Sequence, residues 1–203
     1  MDAAAILPWA LSLSGGYLLG SIPFGLALTR AAGLDLRAIG SGNIGATNVL
    51  RTGRKDLALA TLVLDSLKAG LAALGFGAAF GDNFGIAAGI AAFFGHCYPI
   101  WLGFKGGKGV ATYAGLLVFT SLKGLAVAAP IWLALFALTR ISSLAALVAA
   151  LVVPIGAFLL GEEAFTVGGL ALLSALVFYT HRSNIARLLA GTEPRFGTNK
   201  PAT

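Results

Sequence analysis

The sequence is poor in charged residues and almost free of cysteine. Only 11% of its 203 residues are charged, whereas roughly a quarter are charged in an ordinary soluble domain. Together with 58% hydrophobic residues and a mean hydropathy of +0.88, this excludes a typical soluble globule and indicates an integral membrane protein. Cys97 is the only cysteine, so an intramolecular disulfide is excluded.

The sequence also lacks a lysine- and arginine-rich tail and a long basic stripe, so its net charge of +6 does not indicate a nucleic-acid partner. Basic loops on the cytoplasmic face of a membrane explain the same charge. The first residues contain Asp2 and no basic segment, so we expect a retained first span and not a cleaved signal peptide.

Apolar runs separated by polar loops predict an all-α polytopic membrane protein with a single domain over residues 1–203. The run 110–140 is long for one helix of about 20 residues and short for two, with a candidate break at 121–124. If it holds two helices, all strongly basic loops lie on one face, and the positive-inside rule favours this arrangement. We therefore expect about seven transmembrane helices, with the N-terminus outside and the C-terminus, including Lys200, in the cytoplasm. The other expected spans are 3–29, 57–80, 84–102, 141–160 and 165–179.

The first polar segment of interest is Gly40–Arg51, with the sequence GSGNIGATNVLR. Its glycines match the spacing G-x-G-x-x-G, but a dinucleotide fingerprint also needs a βαβ unit. Asp65 has the spacing of the acidic residue in that fingerprint, yet it lies within a predicted membrane helix, so we reject a dinucleotide site. Hydroxyl and amide groups with the guanidinium of Arg51 are suited to binding phosphate. The alternative is a polar turn that caps a helix.

The second segment, which we call the glycine–lysine loop (residues 103–109), has the sequence GFKGGKG. Glycines let main-chain N–H groups approach a ligand closely, and flanking lysines add positive charge, as in phosphate sites. The loop is not a Walker A motif, because no glycine lies five residues before Gly107 and Gly109 replaces the required Ser or Thr. The alternative is a basic loop that anchors two helices on the cytoplasmic side.

A third polar segment follows the last predicted span and begins at His181. His181 and Asn184 would share one helix face if that span continues as a helix, and histidine can act as an acid, a base or a donor near neutral pH. The segment Arg140–Ser143 opens another predicted helix, where free N–H groups favour an anion and simple capping by serine is the alternative.

Two ionisable residues lie within the second predicted span. Asp65 and Lys68 are three positions apart, so one alternative is that they neutralise one another. The other alternative is that they contact substrate, because charged groups in membrane helices are costly and often functional. His96 has no companions at metal-ligand spacing, and we expect it to pack or hydrogen-bond near Tyr98 and Pro99. The sequence predicts no zinc or iron site and no cofactor.

Taken together, these segments resemble the bacterial acyl-phosphate:glycerol-3-phosphate acyltransferase family (PlsY). The resemblance lies in GSGNIGATN with Arg51, in GHCYP followed by GFKGGKGVAT, and in HRSNIAR with Glu193, in that order along nearly the whole chain. Leu64–Ala69 and Thr139–Ser143 resemble lesser motifs of the family. The H-x-x-x-x-D motif of other glycerol acyltransferases is absent, because Trp101 stands five residues after His96.

The resemblance implies transfer of an acyl group from fatty acyl phosphate to the 1-hydroxyl of glycerol 3-phosphate, without acyl-CoA, at the cytoplasmic face of the bacterial inner membrane. It implies that the glycine–lysine loop holds the acyl phosphate and that the apolar helices house the acyl tail. The resemblance leaves open which group accepts the hydroxyl proton, and the two candidates are a phosphate oxygen of the substrate and His181. The residues expected to be catalytic are His181, Asn184, Lys108 and Ser143. Those expected to bind substrate are Ser41, Gly42, Asn43, Thr47, Asn48, Arg51, Asp65, Lys68, Lys105, Gly106, Gly107, Gly109 and Glu193.

Two other classes of protein compete with this interpretation. A small anion transporter would place broken helices and ionisable residues in matching halves of a repeat, and no repeat is visible. A structural membrane subunit would not need so many Gly, Asn and Arg residues in three loops. The partners expected are the two substrates and membrane lipid, and the oligomeric state, a monomer included, stays open.

Overall fold

The computed structural model describes residues 3–197, with side chains from residue 6 onward, and all regular secondary structure in this part of the chain is helical. The expected all-α class is therefore confirmed, whereas Asp2 and Lys200 lie outside the described residues. The α-helices are α1 (Ala3–Gly20), α2 (Phe24–Ala31), α3 (Ala46–Leu50), α4 (Lys55–Phe80), α5 (Asp82–Cys97), α6 (Val110–Thr120), α7 (Leu122–Thr139), α8 (Ser142–Leu159), α9 (Ala164–Thr180) and α10 (Arg182–Leu189). Short 3₁₀ turns occupy Leu36–Ala38 and Ile100–Leu102.

Five segments within residues 3–197 are long and apolar enough to cross a membrane, and α9 with α10 would make a sixth if this bent pair is one span. Helix α6 has 11 residues, which is about 16 Å of helix against a hydrocarbon core of about 30 Å. A multi-pass membrane protein is confirmed, while the count of about seven spans and the orientation of the termini stay predictions. The five segments are Ile6–Ala31, Lys55–Phe80, Asp82–Leu102, Leu122–Thr139 and Ser142–Leu159.

The ambiguous run 110–140 forms two helices, as the distribution of basic loops favoured. The break lies at the buried residue Ser121, whose backbone is non-helical with φ −150° and whose N–H donates to the Leu117 carbonyl. A residue with this φ cannot continue an α-helix, so α6 ends one residue before it.

The chain divides into two compact units, the first ending at Leu122 and the second beginning at Lys123; the single domain that we expected stays a prediction. In the first unit, glycines bring helix backbones together. A side chain at Gly16 would meet the backbone of Ala88 on α5, and one at Gly115 of α6 would meet the backbone of Ser66 on α4. Small residues are the usual means of close packing between membrane helices, and here they fix the helices that carry the loops.

The second unit pairs α8 with α9 through a buried polar contact. The Ser174 hydroxyl donates to the Ala150 carbonyl at 2.6 Å, which satisfies the one polar group of that side chain in an apolar setting. On α7, Trp132 stacks on Phe136 with ring centroids 4.9 Å apart, and the ring of Phe196 lies 6.0 Å from that of Phe136. These rings attach the segment after α10 to α7.

The orientation in the membrane is testable because the chain has a single cysteine. In a Cys97→Ala background, we expect Asp82→Cys to react with a membrane-impermeant maleimide in intact cells and Arg54→Cys to react only after the membrane is opened. Both positions are exposed, and basic loops stay on the cytoplasmic side. Labelling of Arg54→Cys in intact cells, with Asp82→Cys protected, would contradict the predicted orientation.

Candidate active site

The segment Gly40–Arg51 is organised around the buried side chain of Asn48. The Asn48 amide nitrogen lies 3.2, 3.0 and 2.9 Å from the carbonyl oxygens of Leu36, Ile39 and Asn43. Its Oδ1 accepts from the backbone N–H of Ser41 at 3.0 Å and lies 3.3 Å from the Ser41 hydroxyl. Because these contacts use both ends of the amide, the structure gives Asn48 the role of shaping the loop.

The rest of this segment places polar groups around the Asn48 centre. Ser41 and Thr47 are exposed, and Asn43 is half-buried with its Oδ1 buried and without a hydrogen-bond partner among the described residues. Gly40 and Gly42 have left-handed φ angles of 57° and 68°, which only glycine adopts readily. A side chain at Gly40 would collide with both Asn48 and Arg51, so a glycine at this position lets the Arg51 side chain lie close to the loop.

Arg37 joins this segment to the glycine–lysine loop. One guanidinium nitrogen donates to the Gly42 carbonyl at 3.2 Å, and the other donates to the Lys105 carbonyl. The planar fork of arginine suits such a bridge between two acceptors. We did not predict this role, because Arg37 lies before the motif and its second partner is 68 residues away along the chain.

The glycine–lysine loop is fixed to the end of α5 by main-chain hydrogen bonds. Gly106 N–H donates to the Cys97 carbonyl and Gly107 N–H to the His96 carbonyl, both at 3.0 Å. This differs from our expectation that these N–H groups face a ligand, because the last carbonyls of a helix need donors and take them here. The loop turns through left-handed backbone at Gly103 and Phe104, with φ of 56° and 63°, and such a φ is uncommon for a residue with a side chain.

The cationic part of the loop leads directly into α6. Lys105 is exposed, Lys108 is half-buried, and Gly109 with φ 82° forms the N-cap of the helix. The first N–H groups of a helix have no intrahelical partner and favour an anion. In the first turn of α6, the Thr112 Oγ1 is buried and without a hydrogen-bond partner within residues 6–197. The arrangement offers a lysine, helix N–H groups and a hydroxyl to an anionic ligand.

Asp65 and Lys68 form an ion pair, which is one of the two alternatives that we stated. His96 contacts the same ammonium. The Lys68 ammonium lies 2.9 Å from Asp65 Oδ1 and 2.7 Å from His96 Nδ1. The His96 ring hydrogen-bonds to Lys68 because the end of α5 faces α4 at this level, and we did not expect this partner. Packing of His96 near Tyr98 and Pro99 stays a prediction.

In the second unit, Glu193 collects three side chains. Its Oε1 accepts from the Ser143 hydroxyl at 2.7 Å and from the Asn184 amide at 2.5 Å, and its Oε2 accepts from Arg187 Nε at 2.7 Å. The N-cap of α8 is Ile141, without a side-chain capping bond, so Ser143 does not cap that helix and donates to Glu193 instead. The carboxylate thereby ties α10 to the start of α8.

His181 lies at a sharp bend and not in a continuous helix. Helices α9 and α10 meet there at 61°, so the shared face that we expected for His181 and Asn184 does not arise from one straight helix. The His181 ring is buried, and its Nδ1 lies 2.9 Å from the Val177 carbonyl oxygen. Since a carbonyl only accepts, Nδ1 carries a proton, and in the neutral ring Nε2 is the acceptor nitrogen.

The pKa of Glu193 reflects its donors. Burial raises the pKa, but hydrogen bonds from Ser143, Asn184 and Arg187, with the charge of Arg187, outweigh burial and hold the pKa of this carboxyl below its usual value of 4.5. Glu193 is therefore ionised at neutral pH. Within the described part of the chain, no group of three or more His, Cys, Asp or Glu side chains is placed to hold a metal ion.

Comparisons with known proteins identify the family of this chain. The family described as glycerol-3-phosphate acyltransferase matches residues 10–191. The chain belongs to the glycerol-3-phosphate acyltransferase family. The glycerol-3-phosphate acyltransferase of Hyphomonas neptunium is 69% identical to it over 195 residues, which cover 95% of this chain and 94% of that protein.

Solved structures show that this acyltransferase shares its fold with a membrane enzyme. The crystal structure of PlsY (YgiH), an integral membrane glycerol 3-phosphate acyltransferase, in its glycerol 3-phosphate form is 39% identical, with a TM-score of 0.88 over 94% of this chain and 96% of that one. Its lysophosphatidic acid form gives 38% identity and a TM-score of 0.87 over the same shares. The resemblance drawn from the motifs is confirmed.

The hydrogen bonds of Glu193 lead to a prediction about how the stability of the fold depends on pH. We expect Glu193→Gln to destabilise the acyltransferase at pH 7 by about 1 kcal/mol, because the amide loses the charge that attracts Arg187, which is partly exposed. A carboxyl whose pKa is lowered by folding stabilises the fold above its unfolded pKa and loses this effect as pH falls through the folded pKa. Thermal unfolding in detergent should therefore show a gap between wild type and variant at pH 7 that closes as pH falls below 4.5. A gap independent of pH would contradict the assignment.

Proposed function

We propose that this chain transfers the acyl group of a fatty acyl phosphate to the 1-hydroxyl of glycerol 3-phosphate. The observation that carries the proposal is the close likeness to one membrane acyltransferase whose structures are described as glycerol 3-phosphate and lysophosphatidic acid forms. The acyl phosphate donor rests on the three motifs that resemble the acyl-phosphate-dependent family. The reaction is the first committed step of phospholipid synthesis, at the cytoplasmic face of the bacterial inner membrane.

The proposed reaction exchanges one acyl–oxygen bond for another. The 1-hydroxyl oxygen bonds to the acyl carbon, the bond from that carbon to the phosphate oxygen breaks, and phosphate leaves with the electron pair. The hydroxyl proton passes to a phosphate oxygen or to His181 Nε2. Because phosphate is a good leaving group, positioning and charge stabilisation supply more of the catalysis than a strong base.

Lys108 and the start of α6 are our proposed site for the donor phosphate. Lys108 is half-buried between two glycines and directly precedes the helix N-terminus, where N–H groups and the helix dipole favour an anion. The Thr112 hydroxyl, which has no hydrogen-bond partner among the described residues, lies in the first turn of the same helix. Gly106 and Gly107 support this site by their attachment to α5, and Lys105 adds positive charge.

The segment Gly40–Arg51 contributes further phosphate contacts in this proposal. Ser41 and Thr47 offer exposed hydroxyls, and Arg51 offers a fork of donors beside Gly40. The buried Asn43 Oδ1 lacks a donor among the described residues, and a substrate hydroxyl would supply one. A buried acceptor without a donor is costly in the free protein and is satisfied by a bound ligand.

In the second unit we assign His181, Asn184 and Ser143 to glycerol 3-phosphate. The His181 tautomer fits either an acceptor of the hydroxyl proton or, once protonated, a donor to phosphate. Glu193 holds the Asn184 amide and the Ser143 hydroxyl through one oxygen atom. This contact keeps both groups oriented before the substrate binds, which limits the entropy lost on binding.

Phosphate release by the purified protein tests the proposal. We expect release from an acyl phosphate only when glycerol 3-phosphate is added, and no product with acyl-CoA as donor. Lys108→Ala and His181→Ala should lower turnover by about 100-fold or more, since each removes a group that stabilises charge at the reacting atoms.

Lys55→Ala is the matched control for the loss of a lysine, because this side chain is exposed at the start of α4. It should retain wild-type turnover. An absence of release with wild type, or equal use of acyl-CoA, would overturn the proposed donor. Full activity of both site variants would overturn the assignment of Lys108 and His181.

A further inference from the structure

Three ionisable side chains form a closed cluster inside the first unit. The Lys68 ammonium lies 2.9 Å from Asp65 Oδ1, 2.7 Å from His96 Nδ1 and 3.3 Å from the Ile22 carbonyl oxygen. The three side chains are at most 4% exposed. A charged group in this setting is costly unless all of its hydrogen bonds are made.

The hydrogen bonds of Lys68 are complete without a ligand. An ammonium has three donors and no acceptor, and the structure supplies three acceptors. Asp65 neutralises the charge. His96 Nδ1 lies 3.6 Å from Asp65 Oδ1, which is too long for a hydrogen bond, so the imidazole accepts from Lys68 and carries its proton on Nε2. The cluster therefore fixes both the rotation and the tautomer of the His96 ring.

The His96 ring lies directly against the glycine–lysine loop. The His96 carbonyl accepts from the Gly107 N–H at 3.0 Å, and a side chain at Gly107 would collide with the Nε2 edge of the ring. The loop and the ring thus share one closely packed contact. If the ring rotated away from Lys68, it would either move into Gly107 or open a gap beside it. In both cases the closely packed loop would shift.

The third hydrogen bond of Lys68 reaches the part of the chain that supports the segment Gly40–Arg51. Ile22 lies between α1 and α2, and three residues later Gly25 packs so closely on the Ile44 carbonyl that a side chain there would collide with it. Lys68 thereby holds the start of α2, against which the segment Gly40–Arg51 is packed. One buried ammonium connects the supports of both segments.

We propose that Asp65, Lys68 and His96 are positioning residues, which set the glycine–lysine loop for the acyl donor through the orientation of the His96 ring. The triad contacts no substrate. That the loop binds the acyl donor rests on the proposed function, whereas the positioning of the loop by these residues does not. Lys68 and Asp65, which we expected to bind substrate, act in this proposal through His96.

A matched pair of variants isolates the contact between Lys68 and His96. His96→Asn and His96→Leu both remove the ring, but the asparagine carbonyl retains an acceptor for Lys68 and leucine does not. We expect His96→Leu to raise the KM for acyl phosphate about tenfold or more, with a much smaller change for glycerol 3-phosphate. His96→Asn should recover most of this loss.

Hydrogen exchange provides a readout that needs no turnover. The Gly106 and Gly107 amides are protected by their bonds to α5, so faster exchange in a peptide covering 103–109 reports a displaced loop. We expect faster exchange in His96→Leu and in the double variant Asp65→Asn/Lys68→Met, which removes both charges and leaves none unpaired. Peptides from 164–180 in the second unit serve as the internal control.

The outcomes separate the triad from the proposed reaction. If wild type releases no phosphate but hydrogen exchange at 103–109 is faster in these variants, the proposed acyl transfer is overturned. The proposal that Asp65, Lys68 and His96 position the loop is then still supported. If exchange at 103–109 is unchanged in both variants, or if His96→Asn and His96→Leu behave alike, the positioning role is overturned. A loss of activity in the double variant with unchanged exchange would show direct substrate contact by Lys68 or Asp65 and would also overturn it.

Discussion

The side of the first unit that we propose to bind phosphate depends on how the glycine–lysine loop is attached to the end of α5. Gly106 and Gly107 donate their N–H groups to the last carbonyls of that helix, and both positions are too close to α5 for a side chain. Helix ends need donors in an apolar medium, where water cannot supply them. The attachment therefore satisfies α5 and leads the chain through Lys108 into the N-terminus of α6.

In this protein with few polar residues, three of them are each the centre of several hydrogen bonds. Asn48 shapes the segment around it, Lys68 holds the His96 ring, and Glu193 gathers Ser143, Asn184 and Arg187. Each of these centres is nearly saturated by its neighbours. Saturation removes the cost of burial and fixes the geometry of the exposed groups beside it, such as Ser41, before substrate binds.

Local spacing predicted the helical class and the division of the run 110–140, because these follow from short periodicities and loop charge. It offered the pairing of Asp65 with Lys68 as one of two alternatives. Sequence did not predict the partnership of His96 with Lys68, 28 residues away, or the bridge made by Arg37. Such contacts depend on how helices pack. The direction of the Gly106 N–H and the bend at His181 were also missed, since both arise from main-chain geometry that residue type leaves open.

Replacement of Gly106 by alanine tests most directly whether the loop must lie against α5. A Cβ there would collide with the His96 carbonyl, which is main chain and cannot turn aside. Gly75→Ala is the control, because that position on α4 has no atom within 4 Å of a Cβ. We expect Gly106→Ala to lower turnover by about 100-fold and Gly75→Ala to retain it, with both proteins folded. Wild-type turnover by Gly106→Ala would show that the loop need not lie against α5.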